Sequence, residues 1–182
     1  MQTFFGARRA AVSVGLALVL LAAGSSASYG QSQGWNEYTY ASAGFAVSGP
    51  SDPALSKTST DSAFGQIEIR VWTWDLSPSV MMIGVNDYPS TGTFDTQETL
   101  NGAAAGEVKA WKGGRVVSKT PILVAGITGI ECVLESDDYH GRSRIFFQGH
   151  RLWQILSLSA IGQPLYEQTD RIFASFRFIP AQ

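Results

Sequence analysis

From Gln66 to Trp74 the side chains sort by alternation. Ile67, Ile69, Val71 and Thr73 fall on one side of an extended chain, and Gln66, Glu68, Arg70, Trp72 and Trp74 on the other. This period of two is the signature of a strand. Residues 80–85 are almost wholly apolar, which predicts a strand covered on both faces. Leu76-Ser77-Pro78-Ser79 between them reads as a hairpin connection. Between Phe94 and Trp111 the period changes. Leu100, Ala104, Val108 and Trp111 recur at i, i+4, i+8 and i+11, one face of a helix. Thr93 or Asp95 can cap its start and Gly113-Gly114 ends it.

The strand period governs most of what remains. Residues 35–40 alternate, and 45–47 resume a strand after the Ala43-Gly44 turn. Pro50 and Pro53 make 49–53 a loop, because neither can donate to a central ladder. Residues 55–60 form a short strand. After the helix come strands at 115–124, with Pro121 marking a bulge or an edge, and at 127–135, 144–149 and 152–159. Asp137 to Gly141 (DDYHG) has turn composition, and Gly149-His150-Arg151 is a tight connection. Gly162-Gln163-Pro164 opens a second helix with an apolar stripe of Leu165, Ile172, Phe173 and Phe176. Consecutive strands on short turns pair antiparallel. The predicted fold is therefore α+β: a twisted, mostly antiparallel sheet of about six to eight strands flanked by two main helices.

The N-terminus adds a location. Arg8 and Arg9 precede an uncharged apolar run from Ala10 to Ala23. That run is shorter than the roughly 20 residues that span a bilayer. Ser25 and Ala27 suit the −3 and −1 positions of a signal-peptidase site, so 1–27 reads as a signal peptide cleaved after Ala27. Arg8-Arg9 leaves a twin-arginine route beside the general one. Ser25 stands where a lipoprotein box needs its lipid-bearing Cys. Residues 28–34 read as a flexible leader and 35–182 as one domain, with no membrane span once the signal is gone. Without Arg8 and Arg9 the 13 basic residues become 11 against 15 acidic ones, a net charge near −4. That charge gives no footprint for nucleic acid.

Candidate chemistry is sparse. Cys132 is the single cysteine, which excludes an intrachain disulfide and a multi-thiolate zinc site, and its strand-like setting reads as a buried small hydrophobe. No G-x-S-x-G elbow and no phosphate-cradling glycine loop occur. The mature chain holds two histidines, His140 and His150. Asp138 and His140, in the acidic turn that begins at Asp137, are weak metal candidates, and His150 sits at an exposed corner. Glu131 and Glu135 share one strand face, about 13 Å apart at Cα, and cross-strand pairing with Arg142 and Arg144 is their simplest account. Trp72 and Trp74 could stack on sugar rings if their sheet face is open, or lie in the core if a helix covers it.

Several segments together resemble a known family. Ala43-Gly44-Phe45-Ala46-Val47-Ser48-Gly49-Pro50, followed by Pro53, is similar to the opening hairpin of PsbP-like domains. Gly126-Ile127-Thr128-Gly129-Ile130-Glu131 resembles their central G-x-x-G-x-E strand. Arg144-Ile145-Phe146-Phe147 and Arg151-Leu152-Trp153-Gln154-Ile155 resemble the strands that follow, and Phe173-Ala174-Ser175-Phe176-Arg177-Phe178 the closing F-x-x-S-F. The resemblance implies an α/β/α sandwich and mostly non-enzymatic relatives: an extrinsic photosystem subunit, bacterial lipoproteins and periplasmic proteins, and a small-GTPase-binding import factor. It brings no catalytic motif. The photosystem subunit's metal-binding histidines have no match here.

The expectation is an exported, periplasmic or secreted, non-catalytic accessory or binding module of the cell envelope. It would engage an envelope protein or polysaccharide, with no cofactor. Two alternatives stand beside it: a sugar- or peptidoglycan-binding module using Trp72 and Trp74, and a hydrolase or metal-dependent enzyme using Glu131, Glu135 and His140.

Overall fold

The computed structural model describes residues 34–62 and 65–180. The expected signal peptide, and all of the leader except Gly34, lie outside them. In chain order the elements are β1 (Asn36–Tyr40), β2 (Phe45–Gly49), β3 (Ala54–Ser62), β4 (Gly65–Leu76), β5 (Ser79–Asp87), α1 (Thr96–Val108), β6 (Arg115–Val124), β7 (Ile127–Glu135), β8 (Tyr139–Gln148), β9 (Arg151–Ala160), α2 (Thr169–Ser175) and β10 (Arg177–Phe178). Seven strands form one sheet in the order β3-β4-β5-β9-β8-β7-β6, and β1, β2 and β10 form a second, smaller sheet. Every described pairing is antiparallel. The α+β architecture read from the sequence is the one the chain adopts, with the small sheet as an addition.

The large sheet is the middle of three layers. Alternation sends Ile67, Ile69, Met82, Cys132, Leu134, Ile145, Leu152 and Leu156 to one face, where they pack against Leu100, Ala103, Ala104 and Val108 of α1. The residues between them go to the other face. There Trp72, Trp74, Met81, Ile83, Phe146, Trp153 and Ile155 meet Phe45 and Val47 of the small sheet and Ile172 and Phe173 of α2. The central strands β5 and β9 are therefore apolar on both sides. The edge strands β3 and β6 are largely exposed.

Polar anchors fix the small sheet to the large one. The half-buried Asp87 on β5 takes Arg70 from β4 and Arg151 from β9, and Arg70 also reaches Ser42 Oγ (3.4 Å). The Trp153 indole N–H donates to the Ala43 carbonyl (2.9 Å) and the Trp74 indole to that of Ser51 (2.7 Å). Gly49 is required at its position: a Cβ there would lie 2.8 Å from Trp74 Nε1.

Some expectations need correction. Helix α1 occupies only Thr96–Val108 of the 94–111 stretch, and of the two expected caps it is Asp95 whose carboxylate accepts from the Glu98 N–H (2.8 Å). Phe94 instead packs edge-on against Tyr88 and Phe147. The second helix keeps only Ile172 and Phe173 of its expected stripe. Leu165 precedes it, and Phe176 turns extended at its C-cap, leading into β10. The DDYHG turn is shorter than its composition suggested. Ser136 Oγ accepts from the N–H groups of Asp138 (3.2 Å) and Tyr139 (2.8 Å), so His140 already lies in β8. Pro121 does mark an edge strand, but the register irregularity lies between Val116 and Ser118.

Candidate functional site

Strands β7 and β8 carry their charges toward the face shared with α2. Glu131 pairs in register with Arg144. Its Oε2 accepts from Arg144 Nε (2.7 Å) and its Oε1 from Arg142 (3.4 Å). Arg142 also binds Asp170 at the start of α2 (2.6 Å). Burial pushes the Glu131 carboxyl upward, but the hydrogen bonds and charges of Arg144 and Arg142 outweigh it and hold the group below its ordinary range. Arg144 Nη1 donates to the carbonyl of Phe173 (3.2 Å). Both guanidinium carbons lie over the Phe173 ring, at 5.1 Å for Arg144 and 5.5 Å for Arg142.

Through Arg144 and Phe173 this network borders a pocket of about 140 Å³ between α2 and the large sheet. Phe146, Ile155, Phe173 and Phe176 are buried and make its floor. Val124 and Arg144, both half-buried, and the exposed Ala174 lie at its mouth. The floor depends on a glycine. Gly129 pairs with Phe146 across β7 and β8, and a Cβ at Gly129 would lie 2.4 Å from the Phe146 ring. The missing side chain on β7 is what lets the Phe146 ring lie across it. Phe146 then stacks on Phe176 at 6.1 Å with an interplanar angle of 4°. Arg144 stands out in the sequence as an ion-pair partner and Gly129 as part of a family-like pattern, but the pocket they shape has no sequence signal.

The residues proposed for chemistry are placed elsewhere or already engaged. Trp72 and Trp74 are only 3% and 2% exposed, so neither presents a stacking face to solvent. Of the two alternatives the core is the one realised, and its cover over Trp72 is the small sheet rather than a helix: Tyr40 and Phe45 lie 4.8 and 5.1 Å from the Trp72 ring. Glu135 is directly opposite His140, yet it is bound by Arg115 of β6, and His140 Nε2 contacts the Gln163 carbonyl (2.7 Å). Glu131 stands four residues away along β7, so the three do not converge. Asp138 is exposed in the turn ahead of β8. His150 is exposed at the β8–β9 corner, where its carbonyl accepts from the Tyr88 N–H (2.7 Å). Among the described residues no group of three or more His, Cys, Asp or Glu could hold a metal ion.

The opposite face holds a titratable group that sequence reasoning also missed. Glu107 of α1 is buried. Its Oε2 accepts from Ser143 Oγ (2.7 Å) and its Oε1 from Gln154 Nε2 (3.1 Å), and Gln154 Oε1 accepts from Asn86 (3.0 Å). Burial raises its pKa to about 7 against the lowering effect of those bonds. The neighbouring Cys132 is buried as expected, and burial together with the Glu107 charge pushes its thiol up to about 12, which leaves it an inert thiol at neutral pH.

Comparison with known proteins places the architecture. The chain aligns with the solution structure of cyanobacterial PsbP (CyanoP) from Synechocystis sp. PCC 6803 over 85% of its own length and 98% of that chain, with a TM-score of 0.51. The fold is PsbP-like. Identity over that alignment is 11%, so the likeness concerns the fold alone. A second structure, the protein of unknown function PA94 from Pseudomonas aeruginosa, aligns with 58% of this chain and 83% of its own at 12% identity and a TM-score of 0.39, too low to carry an argument. No family model and no curated protein matches the chain.

Proposed function

We propose that the protein is an exported, non-catalytic accessory or binding module of the cell envelope that works outside the cytoplasm. The observation that carries this reading is the lining of the pocket beneath α2: six apolar side chains and one guanidinium. A guanidinium neither gives up nor takes a proton at working pH, so such a pocket holds a group without transferring protons to it. The carboxylates and histidine nearest to it spend their hydrogen bonds on arginines and backbone. Export is supported by the leader, and the non-enzymatic reading by the family resemblance of the sequence. An envelope protein or polysaccharide remains the natural partner class.

The test has two arms. Protein recovered from the producing cell should lie outside the cytoplasm and begin at Ser28. Ester, glycoside and peptide substrates should show no turnover that disappears in the Glu131→Gln or His140→Ala variant. A cytoplasmic protein retaining residues 1–27 would overturn export. Turnover lost in either variant would overturn the non-catalytic reading.

A further inference from the structure

We propose that the pocket beneath α2 binds a small apolar monocarboxylate, with its ring or branched chain on Phe146, Ile155, Phe173 and Phe176 and its carboxylate on Arg144. This deepens the binding-module reading and rests on it. Size is the first argument. The pocket's volume, about 140 Å³, is close to that of the apolar cavity of about 150 Å³ that stays dry and takes up benzene. One six-membered ring, or an acyl chain of similar bulk, fills it.

The second argument is the state of Arg144. Its Nε is tied to Glu131 and its Nη1 to the Phe173 carbonyl. Among the described residues no acceptor bonds Nη2. Two corners of a planar fork are thus fixed and the third is left with its donors, so little rotamer entropy remains to be lost on binding. An acceptor oxygen is the complement of such a group, and a carboxylate is the complement with the strongest hydrogen bonds.

Charge makes the third argument. Of the seven residues that line the pocket Arg144 is the one that carries a charge, and no carboxylate is among them. Glu131, Arg142 and Asp170 lie outside that lining, and Arg142 is matched by Asp170 at 2.6 Å. The wall of an otherwise apolar pocket therefore favours a single negative charge. It does not favour a phosphate-like dianion, since Glu131 stands behind the arginine.

Benzoate, benzyl alcohol and acetate are suitable probes, titrated into the mature protein by calorimetry. Benzoate has both halves of the recognised group, benzyl alcohol only the ring, and acetate only the charge. Benzoate should bind about tenfold more tightly than either, the ratio a single charge-assisted contact supplies. Ala174→Phe, at an exposed position on the mouth, should abolish that binding and leave the thermal melt unchanged. Arg144→Gln should bring benzoate down to the level of benzyl alcohol. Equal binding of benzoate and benzyl alcohol, both blocked by Ala174→Phe, would overturn the carboxylate class and leave the binding pocket standing. Failure of all three probes to bind would overturn the pocket as a site, a result separate from the turnover test above.

Discussion

The two faces of the large sheet handle buried charge in opposite ways. Under α1 a carboxyl lies deep in the core, held by Ser143 and Gln154, with its pKa raised to about 7 by burial. Under α2 the carboxyl of Glu131 stays near the rim, held by two arginines below its ordinary range. The first face is closed: small residues on α1 let the helix sit near the sheet, and Ala104 and Leu100 are 1% and 0% exposed. The second is aromatic and incompletely filled, because α2 is a short helix of seven residues and cannot cover what the strands present. One face spends its polar group on fixing a helix. The other keeps an oriented guanidinium beside an unfilled apolar hollow. The binding we propose belongs to the second.

The strongest way to break the contrast is to remove the buried carboxyl. Glu107→Ala should destabilise the fold by about 2–4 kcal/mol, from the cavity left and from two orphaned donors, as read by chemical denaturation. The pH dependence of the two faces should also differ in sign. Glu107 binds its proton more tightly folded than unfolded, so its stabilising contribution is complete below about pH 4.5 and is lost as pH rises through about 7. That loss is on the order of 3 kcal/mol, and Glu107→Gln should flatten it. Glu131 runs the other way: its contribution is present above the ordinary carboxylate range and disappears as pH falls through its lowered folded pKa. Denaturation midpoints of the two Gln variants, followed from pH 3 to 8, separate these slopes.

Next in size is the glycine under the pocket floor. Gly129→Ala should cost about 1–3 kcal/mol by overpacking against Phe146 and should weaken benzoate binding in calorimetry, whereas changes under α1 should leave binding intact. The smallest effect is expected at the β6–β7 turn, where the non-glycine Ala125 has φ 50° and Gly126 φ 79°. Ala125→Asn should raise stability by about 1 kcal/mol or less, because Asn tolerates the left-handed region better than Ala. A thermal melt checks it.

Much of this was legible in the chain. Alternation along residues 66–74 separated the two faces of β4 correctly; what it could not say is that both would be covered. Trp72 and Trp74 shared a parity with Gln66, Glu68 and Arg70 and so read as a polar face, and only the small sheet, laid over it from both ends of the chain, makes that face a core. The small sheet itself was hidden because its pairing is non-local: β10, at Arg177–Phe178, joins β2 at Phe45 and Ala46. Nothing in the helical pattern singles out Glu107. It shares the Leu100 stripe at i+7, but its burial depends on polar partners from β8 and β9. The pocket depends on the shortness of α2 and on a side chain that Gly129 lacks, neither of which leaves a periodic signal. The cross-strand pairing of Glu131 with Arg142 and Arg144 was readable from strand register, whereas Glu135 turned to Arg115 on the other neighbour.

The most direct measurement is a methyl-resolved NMR titration of the mature protein with benzoate. Methyl signals of Val124, Ile155 and Ala174 should move together and saturate, while those of Leu100, Ala104 and Leu156 beneath α1 stay in place. Shifts shared equally by both sets, or confined to the α1 side, would contradict the assignment of binding to the α2 face.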